Sequence, residues 1–410
     1  MPYTIHCFRS WVADHTSWES LSDWLQSAEG GSLRIVAPNK SAYALVRYVK
    51  GQSDFTKEHV KWCRSVVVKK DTRLPVCVAP PKGGVVSAEQ LSSVIIAEEF
   101  VDGTMINMFN DGDVNLATRS RIGGDGKFYE GSLTFKQMFD DAYGNHSYPS
   151  ILPIRDDRPA VFASTVIQHP SNRIVKQITK PAYVIVHQGW TDVDGTVHIE
   201  EKSEAFRSGL HECGIPNITS YALNSIRGAK SVESWVAQQA QERGFGWQGV
   251  VLKDGTGNRW RVRSQVYETV RRIRGNESTH EERFARLRKA RMVEQYLAFY
   301  PEDRECMYEL EGRIRNNTKQ LSHFYGQVFR AKKMAYADLP WPYKHHVSVL
   351  HNIYKDTLRK DGKKITFDEV VMYVNSLNQE DTYNMIKKHS LVAKKDTIKQ
   401  EIRVEEPVTA

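Results

Sequence analysis

The residues between Ala97 and Arg121 have the types and spacing of a small polar site carried on a β-hairpin. The apolar run Val94-Ile95-Ile96 comes first, and Phe100 and then Asp102-Gly103 follow it. An alternating segment then leads into Asn110-Asp111-Gly112, which is typical of a hairpin turn, and into a return strand with a basic end. An aspartate beside a glycine can hold a carboxylate at a sharp bend, or it can serve the turn alone. By itself, the stretch predicts a hairpin.

Further segments place cationic side chains, or in one case a glutamine, beside strand-like runs. They are Cys63-Arg64-Ser65-Val66-Val67, Pro80-Pro81-Lys82, Thr165-Val166-Ile167-Gln168-His169-Pro170-Ser171-Asn172-Arg173-Ile174-Val175, Gln248-Gly249-Val250-Val251 and Arg261-Val262-Arg263. In the last segment, the two arginines are separated by one residue, so a strand presents both on one face. Guanidinium groups can bind phosphate with paired hydrogen bonds.

Together, these segments resemble the covalent nucleotidyltransferase superfamily, and in particular the RNA ligases of phages and large DNA viruses. In that family, the lysine of K-x-D-G attacks ATP, and a glutamate in F-E-x-x-x-P-x-N-R-I-V contacts the ribose. A glutamate in E-G-x-V supports the metal, and two lysines in K-x-K hold the phosphates. The resemblance implies an α+β domain of antiparallel sheets with flanking helices, followed by an all-α domain. The nucleotide or phosphate contacts that it implies are Arg64, Lys82, Asp102, Gly103, Asn172, Arg173, Arg261 and Arg263.

The sequence departs from this family at the positions that carry the chemistry. Phe100 replaces the nucleophilic lysine, Val166 the ribose glutamate and Gln248 the metal-supporting glutamate, while Arg261 and Arg263 replace the two lysines. Phenylalanine cannot form a phosphoramidate, and loss of a covalent nucleophile costs on the order of a millionfold in rate. The arginines keep their positive charge. The pattern predicts that no residue is catalytic and that the cleft is more cationic than in the family.

Some of these residues have a simpler interpretation. Asn172 and Arg173 could brace the fold by bonding nearby carbonyl groups, and Arg64 could lie on the surface. The sequence leaves both alternatives open.

The positive charge of the chain is concentrated between Arg259 and Arg291. This window holds eleven basic and four acidic residues, which gives +7 of the total net charge of +8. The candidates for nucleic-acid binding within it are Arg271, Arg272, Arg274, Arg283, Arg286, Arg288, Lys289 and Arg291. Such a cluster is typical either of a polyanion-binding face or of a solvated helix surface.

The pattern of apolar and polar residues in the sequence changes near Gly275-Asn276. Short β-rich runs dominate before this point, and helical periodicity dominates after it. We therefore predict a nucleotidyltransferase-like domain over 1–275, a helical domain over 276–393 and a charged tail over 394–410. Helices are predicted over 18–27, 203–213 and 231–243, and one apolar helical face runs from Phe284 to Tyr300. Thr366 and Glu369 predict a capping box, with Ile365 and Val370 as a hydrophobic staple.

The helical domain contains aromatic and histidine residues that could also bind ligands. The aromatics are Tyr296, Phe299, Tyr300, Phe324, Tyr325 and Phe329. They could stack nucleobases, although helical core is the favoured interpretation. His345, His346 and His351 do not share a helix face at metal-ligand spacing, which favours packing or surface roles and predicts no metal site. Five scattered cysteines, one of them Cys213, without CxxC spacing predict reduced thiols.

The leading hypothesis is a catalytically inactive, RNA-ligase-like protein that binds RNA or DNA, or that serves as a structural component of a viral or other nucleoprotein assembly with protein partners. It requires no cofactor. The alternatives are an active ATP-dependent RNA ligase using ATP and Mg²⁺, and a virion or capsid component that contacts proteins only. The absence of a long apolar run or an apolar leader predicts no membrane association and an intracellular location, which would be the cytoplasm, or a viral factory or virion if the source is viral.

Overall fold

The computed structural model describes residues 3–129, 131–144, 152, 154, 158–200 and 218–387. The chain divides into two units, Met1–Arg271 and Arg272–Ala410, and the division falls within a helix at Gln265–Arg274. Cys213, the predicted helix over 203–213 and the charged tail over 394–410 lie outside the described residues.

The first unit contains a six-stranded antiparallel sheet in the order β1-β11-β10-β9-β7-β8. Its strands are β1 (Tyr3–Ile5), β7 (Thr104–Asn110), β8 (Val114–Thr118), β9 (Ala160–Gln168), β10 (Ala182–Thr191) and β11 (Val197–Ile199). β7 and β8 form the predicted hairpin around Asn110-Asp111-Gly112, which confirms the turn signal.

Two smaller antiparallel sheets complete the described β structure of this unit. The four-stranded sheet has the order β2 (Arg34–Val36), β3 (Tyr43–Arg47), β4 (Val66–Lys69) and β5 (Pro75–Val78). The three-stranded sheet has the order β13 (Arg259–Arg263), β12 (Gly249–Lys253) and β6 (Ile96–Glu99). Its central strand is buried at every position.

The helices in the described part of the first unit are α1 (Arg9–Ala13), α2 (Trp18–Gln26), α3 (Ala88–Ser93), α4 (Phe135–Tyr143), α5 (Leu223–Arg227), α6 (Val232–Arg243) and α7 (Gln265–Arg274), the last of which continues into the second unit. The predicted helices at 18–27 and 231–243 are confirmed by α2 and α6, whose N-caps are Ser17 and Ser231. Trp235 of α6 packs in one apolar cluster with Val250 and Trp260 of the three-stranded sheet.

A short link over 100–103 carries the chain from β6 into β7, and so from the three-stranded to the six-stranded sheet. Gly103 has a φ of +157°, and a Cβ atom there would lie 2.2 Å from the carbonyl oxygen of Ile167. Only glycine fits where the link passes so close to β9. The link therefore brings the side chains of two sheets together.

The second unit is helical in its described part. Its helices after α7 are α8 (His280–Lys289), α9 (Val293–Phe299), α10 (Arg304–Tyr325), α11 (Trp341–Ile353) and α12 (Phe367–Ser376), and residues 379–387 are also helical. The capping box at the start of α12 is confirmed, because the backbone N–H of Thr366 donates to the Glu369 carboxylate at 3.0 Å. Ile365 and Val370 are both buried.

The predicted apolar face from Phe284 to Tyr300 is divided between two helices, and Ala290 departs from it. Arg291 has a φ of +57°, which ends α8 and separates it from α9. Ala290 is consequently exposed, whereas Phe284 and Leu287 remain in the core. A left-handed residue is uncommon outside glycine, and the apolar periodicity contained no sign of it. Across the described residues, no helix is both long enough and apolar enough to cross a membrane.

Candidate anion-binding cleft

A cleft of about 510 Å³ lies within the first unit. Its lining includes most of the residues singled out by the sequence motifs, namely Arg64, Lys82, Phe100, Asp102, Gly103, Val166, Gln248, Arg261, Arg263 and Arg271. The β6–β7 link, β12, β13 and the segment after β5 thus meet at one place. Pairing between β6 and β12, which are more than 100 residues apart in sequence, brings the motifs together.

Phe100 lies beneath an arginine. The Arg263 guanidinium carbon is 5.1 Å from the centre of the Phe100 ring, within the range of a cation–π contact. Arg263 also forms an ion pair with Glu268 at 2.6 Å, which holds its guanidinium in place from a second direction. Phe100 therefore places an apolar ring in this wall of the cleft, in contact with a fixed cation.

Gln248 supports the same arrangement. When its amide is oriented by its neighbours, Nε2 donates to the Val101 carbonyl oxygen at 3.2 Å and Oε1 accepts from Arg263 Nε at 3.1 Å. A glutamate could accept from Arg263 but could not donate to Val101. The amide therefore connects the link over 100–103 to β13, and this explains why glutamine suits a site built around Phe100.

Asp102 is occupied by structural hydrogen bonds. Its Oδ2 accepts from the backbone N–H groups of Val175 at 3.0 Å and Lys176 at 2.8 Å, and its Oδ1 accepts from the Tyr267 hydroxyl at 2.8 Å. Burial, followed by the Asp102 carboxylate, raises the pKa of Tyr267. The side chain thus ties the β6–β7 link to the start of α7 and to the segment after β9.

Asn172 and Arg173 are not among the residues that line this cleft. Asn172 is buried, and its Oδ1 accepts from Thr104 Oγ1 at 3.2 Å. Arg173 Nε donates to the Val175 carbonyl oxygen at 3.3 Å. These contacts are of the bracing kind that the sequence left open as an alternative to nucleotide binding.

A buried ion pair forms one wall of the cleft and was not anticipated from the motifs. Lys253 Nζ lies 3.2 Å from Glu98 Oε2, with side-chain exposures of 6% and 1%. Lys253 Nζ also donates to the Val186 carbonyl oxygen at 3.3 Å. The pairing of β6 with β12 places Glu98 and Lys253 near each other, and this register could not be read from either segment alone.

Two other cations in the cleft, Arg64 and Arg261, are poorly compensated. Arg64 makes one long hydrogen bond, to the Pro80 carbonyl oxygen at 3.5 Å. Burial lowers the pKa of Arg64 to about 10, and the nearby charges of Arg259 and Arg119 act in the same direction. Burial, followed by the charges of Arg263 and Arg271, also lowers the pKa of Arg261. The physical cause in both cases is desolvation combined with repulsion between like charges.

Three of the cations in the cleft have no partner in the described part of the chain. Lys82, Arg119 and Arg261 make no side-chain hydrogen bond or ion pair with any described residue. Arg119, at the end of β8, belongs to none of the motifs and was not predicted as a site residue. The basic end of the hairpin was the signal in the sequence that could have found it. An anion in the cleft would relieve the repulsion among these groups.

The acidic groups of the cleft, Glu98, Glu99 and Asp102, do not converge into the set of carboxylates that a Mg²⁺ ion needs. Glu98 is paired with Lys253, both oxygens of Asp102 accept hydrogen bonds, and the Gln248 amide is held by Val101 and Arg263. Mg²⁺ prefers carboxylate and phosphate oxygens in a regular octahedral arrangement. Over the described residues, no group of three or more His, Cys, Asp or Glu side chains converges as a metal site.

In the second unit, most of the predicted nucleic-acid-binding arginines hold helices together. Arg274 and Arg283 are buried, and Arg283 lies 3.7 Å from Asp303. Arg286 pairs with Glu277 and donates to the Ile273 carbonyl oxygen at 2.8 Å.

The end of α8 is bonded to two other helices of this unit. Arg288 bonds Glu311 at 3.1 Å and Asn375 at 2.7 Å. Lys289 donates to the Ser376 carbonyl oxygen at 3.2 Å. These two basic side chains therefore join α8 to α10 and α12.

Few members of the basic window remain free to contact a polyanion. Arg272 and Arg291 are exposed, and within the described structure they make no side-chain ion pair. Arg271 belongs to the first unit, where it lines the cleft and lies 3.8 Å from Glu268. The charge count of this window overstates the positive surface that it presents.

The helical unit confirms core packing for Tyr296, Tyr300 and Tyr325, which are buried. Phe299, Phe324 and Phe329 are half-buried. His346 is buried, and its Nδ1 lies 2.7 Å from the Tyr373 hydroxyl. This is a packing role of the kind expected for the histidines.

Comparisons with known proteins give limited similarity. No family model matches the chain, and no curated protein sequence matches it. Among solved structures, the chain is similar to two forms of an archaeal ATP-dependent RNA ligase, each at 13% identity and a TM-score of 0.35. The similarity covers 70% of this chain and 70% of form 1 or 74% of form 2. At this TM-score, the likeness carries no argument about activity, so the function must be argued from the cleft itself.

Proposed function

We propose that this protein binds the phosphate groups of RNA or DNA in the cleft of its first unit, without forming a covalent nucleotide adduct. On this proposal, it acts as a nucleic-acid-binding or structural component of a nucleoprotein assembly. The observation that carries the proposal is the set of uncompensated cations formed by Arg64, Lys82, Arg119 and Arg261.

The arrangement of the arginines on β13 suits the binding of phosphate oxygens. Arg259, Arg261 and Arg263 alternate along β13, so their side chains leave the strand on one face. All three line the cleft. Each guanidinium offers paired N–H donors, and charge-assisted hydrogen bonds of this type are about twice as strong as neutral ones. Arg64 is half-buried beside these arginines. Its guanidinium is therefore already partly removed from water before an anion binds.

The non-covalent part of the proposal is supported by the contacts of Phe100. A carbocyclic ring has no nitrogen or oxygen that could attack a phosphoryl group. Arg263 contacts the Phe100 ring, and Gln248 bonds both Val101 and Arg263 beside it. The neighbouring side chains are therefore arranged around a phenylalanine at this position. Gln248 and Val166 provide no carboxylate where the family holds metal and ribose.

A second candidate function, an active ATP-dependent RNA ligase, is favoured by the presence of two lysines in the same cleft. Lys82 is exposed, and no described residue bonds its side chain. Lys253 is buried in its pair with Glu98. Lys82 is the better nucleophile of the two, since Lys253 would have to leave its carboxylate and the Val186 carbonyl oxygen.

The test is the affinity for a 5′-phosphorylated 12-nucleotide RNA, measured against salt for the wild type and for Arg261→Gln. We expect binding to weaken by about 10- to 100-fold, the range for removal of one hydrogen-bonded charge. The slope of log K against log salt should fall by about 0.7, the value for one neutralised phosphate on a single strand. Arg9→Gln is the matched control, because Arg9 is exposed, lies outside the cleft and pairs with Asp194.

Unchanged affinity and slope in Arg261→Gln, and also in Arg64→Gln, would contradict phosphate binding in the cleft. Binding that does not depend on salt in the wild type would favour an assembly role based on protein contacts alone.

A further inference from the structure

Two π-helical turns of the second unit bring aromatic residues to the same histidine. Gly326–Arg330 continues α10, and Tyr354–Leu358 continues α11. A π-helical turn adds a residue to the helix circumference and redirects the side chains that follow it, and such turns occur often at functional sites. Phe329 of the first turn and Tyr354 of the second both contact His351.

The result is a column of stacked rings. The Phe329 and His351 rings are 3.7 Å apart and almost parallel, with an interplanar angle of 4°. Tyr354 stacks on His351 at 5.9 Å and 26°. All three side chains are half-buried, whereas Tyr325, which meets Phe329 at 5.3 Å, is buried beneath them. The column therefore has a buried base and partly exposed rings.

His351 contributes its ring face to this column. Its Nδ1 is buried and has no hydrogen-bond partner among the described residues. His346, by contrast, is bonded to Tyr373 through its Nδ1 at 2.7 Å. Burial, followed by the charge of Lys355, lowers the pKa of His351, so the ring is neutral at pH 7.

The chain around the column is strongly basic. Residues 326–364 include nine basic and three acidic residues. Eight of these basic residues are exposed. Lys363 pairs with Asp361, and the other seven form no ion pair with a described residue; they are Arg330, Lys332, Lys333, Lys355, Arg359, Lys360 and Lys364. The Arg330 guanidinium lies 5.9 Å from the Tyr325 ring, so this charge lies beside the aromatic residues.

Stacked aromatic rings beside unpaired cations have the chemistry of a surface for unpaired nucleobases. Each base has a π face that an aromatic ring can cover, while cations track the sugar–phosphate backbone. A duplex keeps its bases stacked on each other, so it offers no free base face to an aromatic side chain. We propose that Phe329, His351 and Tyr354 form a base-stacking platform for single-stranded nucleic acid, with Arg330 and Lys355 holding the adjacent backbone.

The platform and the cleft in the first unit bind different parts of a nucleic acid. The platform binds bases, whereas the cleft binds phosphate. An oligonucleotide that lacks its bases separates the two, since it retains the phosphates and removes every stacking partner.

The experiment uses the full chain and three fluorescein-labelled 12-mers, namely single-stranded RNA, an abasic strand of the same length and an RNA duplex. Phe329→Leu keeps an apolar side chain but removes the ring. We expect its affinity for single-stranded RNA to fall by about 5- to 150-fold, the range for removal of one base–aromatic stack. Its affinity for the abasic strand and for the duplex should match that of the wild type.

The matched control is Tyr308→Leu. Tyr308 is an exposed aromatic on the same helix, α10, and it has its own arginine, Arg304, at 5.9 Å from the ring. It lies near the opposite end of α10 and is not part of the column. This variant should bind all three probes as the wild type does.

A charge-removal variant keeps the test decisive if Phe329→Leu does not fold. Arg330→Gln with Lys355→Gln alters two exposed side chains whose replacement should leave the fold intact, as is usual at surface positions. We expect the salt slope for single-stranded RNA to fall by about 1.4, or about 0.7 for each phosphate that is no longer neutralised. Wild-type affinity in both variants, or an equal loss for the single strand and the abasic strand in Phe329→Leu, would overturn the platform.

Discussion

Replacing Phe100 with lysine places a second cation beside Arg263. The Arg263 guanidinium carbon is 5.1 Å from the Phe100 ring centre. Two unit charges at that distance repel by about 3 kcal/mol at an effective dielectric constant of about 20. Glu268, which pairs with Arg263 at 2.6 Å, offsets part of this repulsion, so we take about 3 kcal/mol as the ceiling.

This repulsion predicts a pH-dependent loss of stability. An energy of about 3 kcal/mol lowers the pKa of the introduced ammonium by about 2, from about 10.4 to about 8. The charged form is disfavoured in the folded state. The penalty is therefore complete below about pH 8 and disappears as pH rises past the unfolded-state pKa of about 10.4.

The assay is urea denaturation of Phe100→Lys and of Phe100→Met from about pH 7 to about pH 10.5, the range that spans both pKa values. Phe100→Met is the control because it also removes the ring but adds no charge. We expect Phe100→Lys to be less stable than Phe100→Met by about 1 to 3 kcal/mol at pH 7, with the difference closing as pH rises. A difference that is absent at pH 7, or that does not change with pH, would refute the proposed environment of residue 100. Phe100→Lys should also remain unlabelled by ATP, since Gln248 and Val166 supply no metal or ribose carboxylate.

Three further predictions concern buried polar groups. Glu98→Gln leaves Lys253 buried without its ion-pair partner, and urea denaturation should show a loss of about 3 to 5 kcal/mol; wild-type stability would contradict the buried pair. Tyr267→Phe removes one of the three hydrogen bonds to Asp102 and should cost about 1.5 to 3 kcal/mol in the same assay, whereas no change would show that the backbone donors suffice. Burial lowers the pKa of His346 to about 4, so its neutral form is favoured in the folded state and stability should fall as pH drops from about 6.5 to about 4, by up to about 3 kcal/mol. His346→Gln should remove that part of the pH dependence, and an unchanged profile would exclude His346 as its source.

Local patterns in the sequence predicted much of the secondary structure. The β7–β8 hairpin followed from its turn residues, and the start of α12 followed from its capping box. These features depend on residues that are close in sequence, where backbone conformation and capping bonds are decided locally. The break at Arg291 was missed because its left-handed backbone is not encoded by an apolar period.

The candidate site was only partly predictable. The motifs named many of the residues that meet in the cleft, because alternation along β13 and the family pattern both mark them. The contacts that define the site were not predictable. The Phe100–Arg263 contact, the Gln248 bridge and the Glu98–Lys253 pair each depend on register between strands or on the packing of segments that are distant in sequence.

The role of the basic window over Arg259–Arg291 was also only partly predictable from the sequence. Its net charge is strongly positive, but Arg274 and Arg283 are buried and Arg288 joins α8 to α10. A basic residue on an amphipathic helix can either face water or bond a neighbouring helix, and the choice depends on packing. The exposed charge on which the proposed single-strand binding rests lies instead over residues 326–364, which were not predicted as a binding segment.

The central claim is that the cleft binds phosphate reversibly and forms no covalent nucleotide adduct. The most direct measurement is incubation of the full chain with α-labelled ATP and Mg²⁺, in which equilibrium binding and label surviving denaturation are quantified in the same samples. We expect salt-sensitive reversible binding that weakens in Arg261→Gln, with no label retained after denaturation. Retained label that disappears in Lys82→Gln or Lys253→Gln would contradict the claim and establish an active nucleotidyltransferase with a relocated nucleophile.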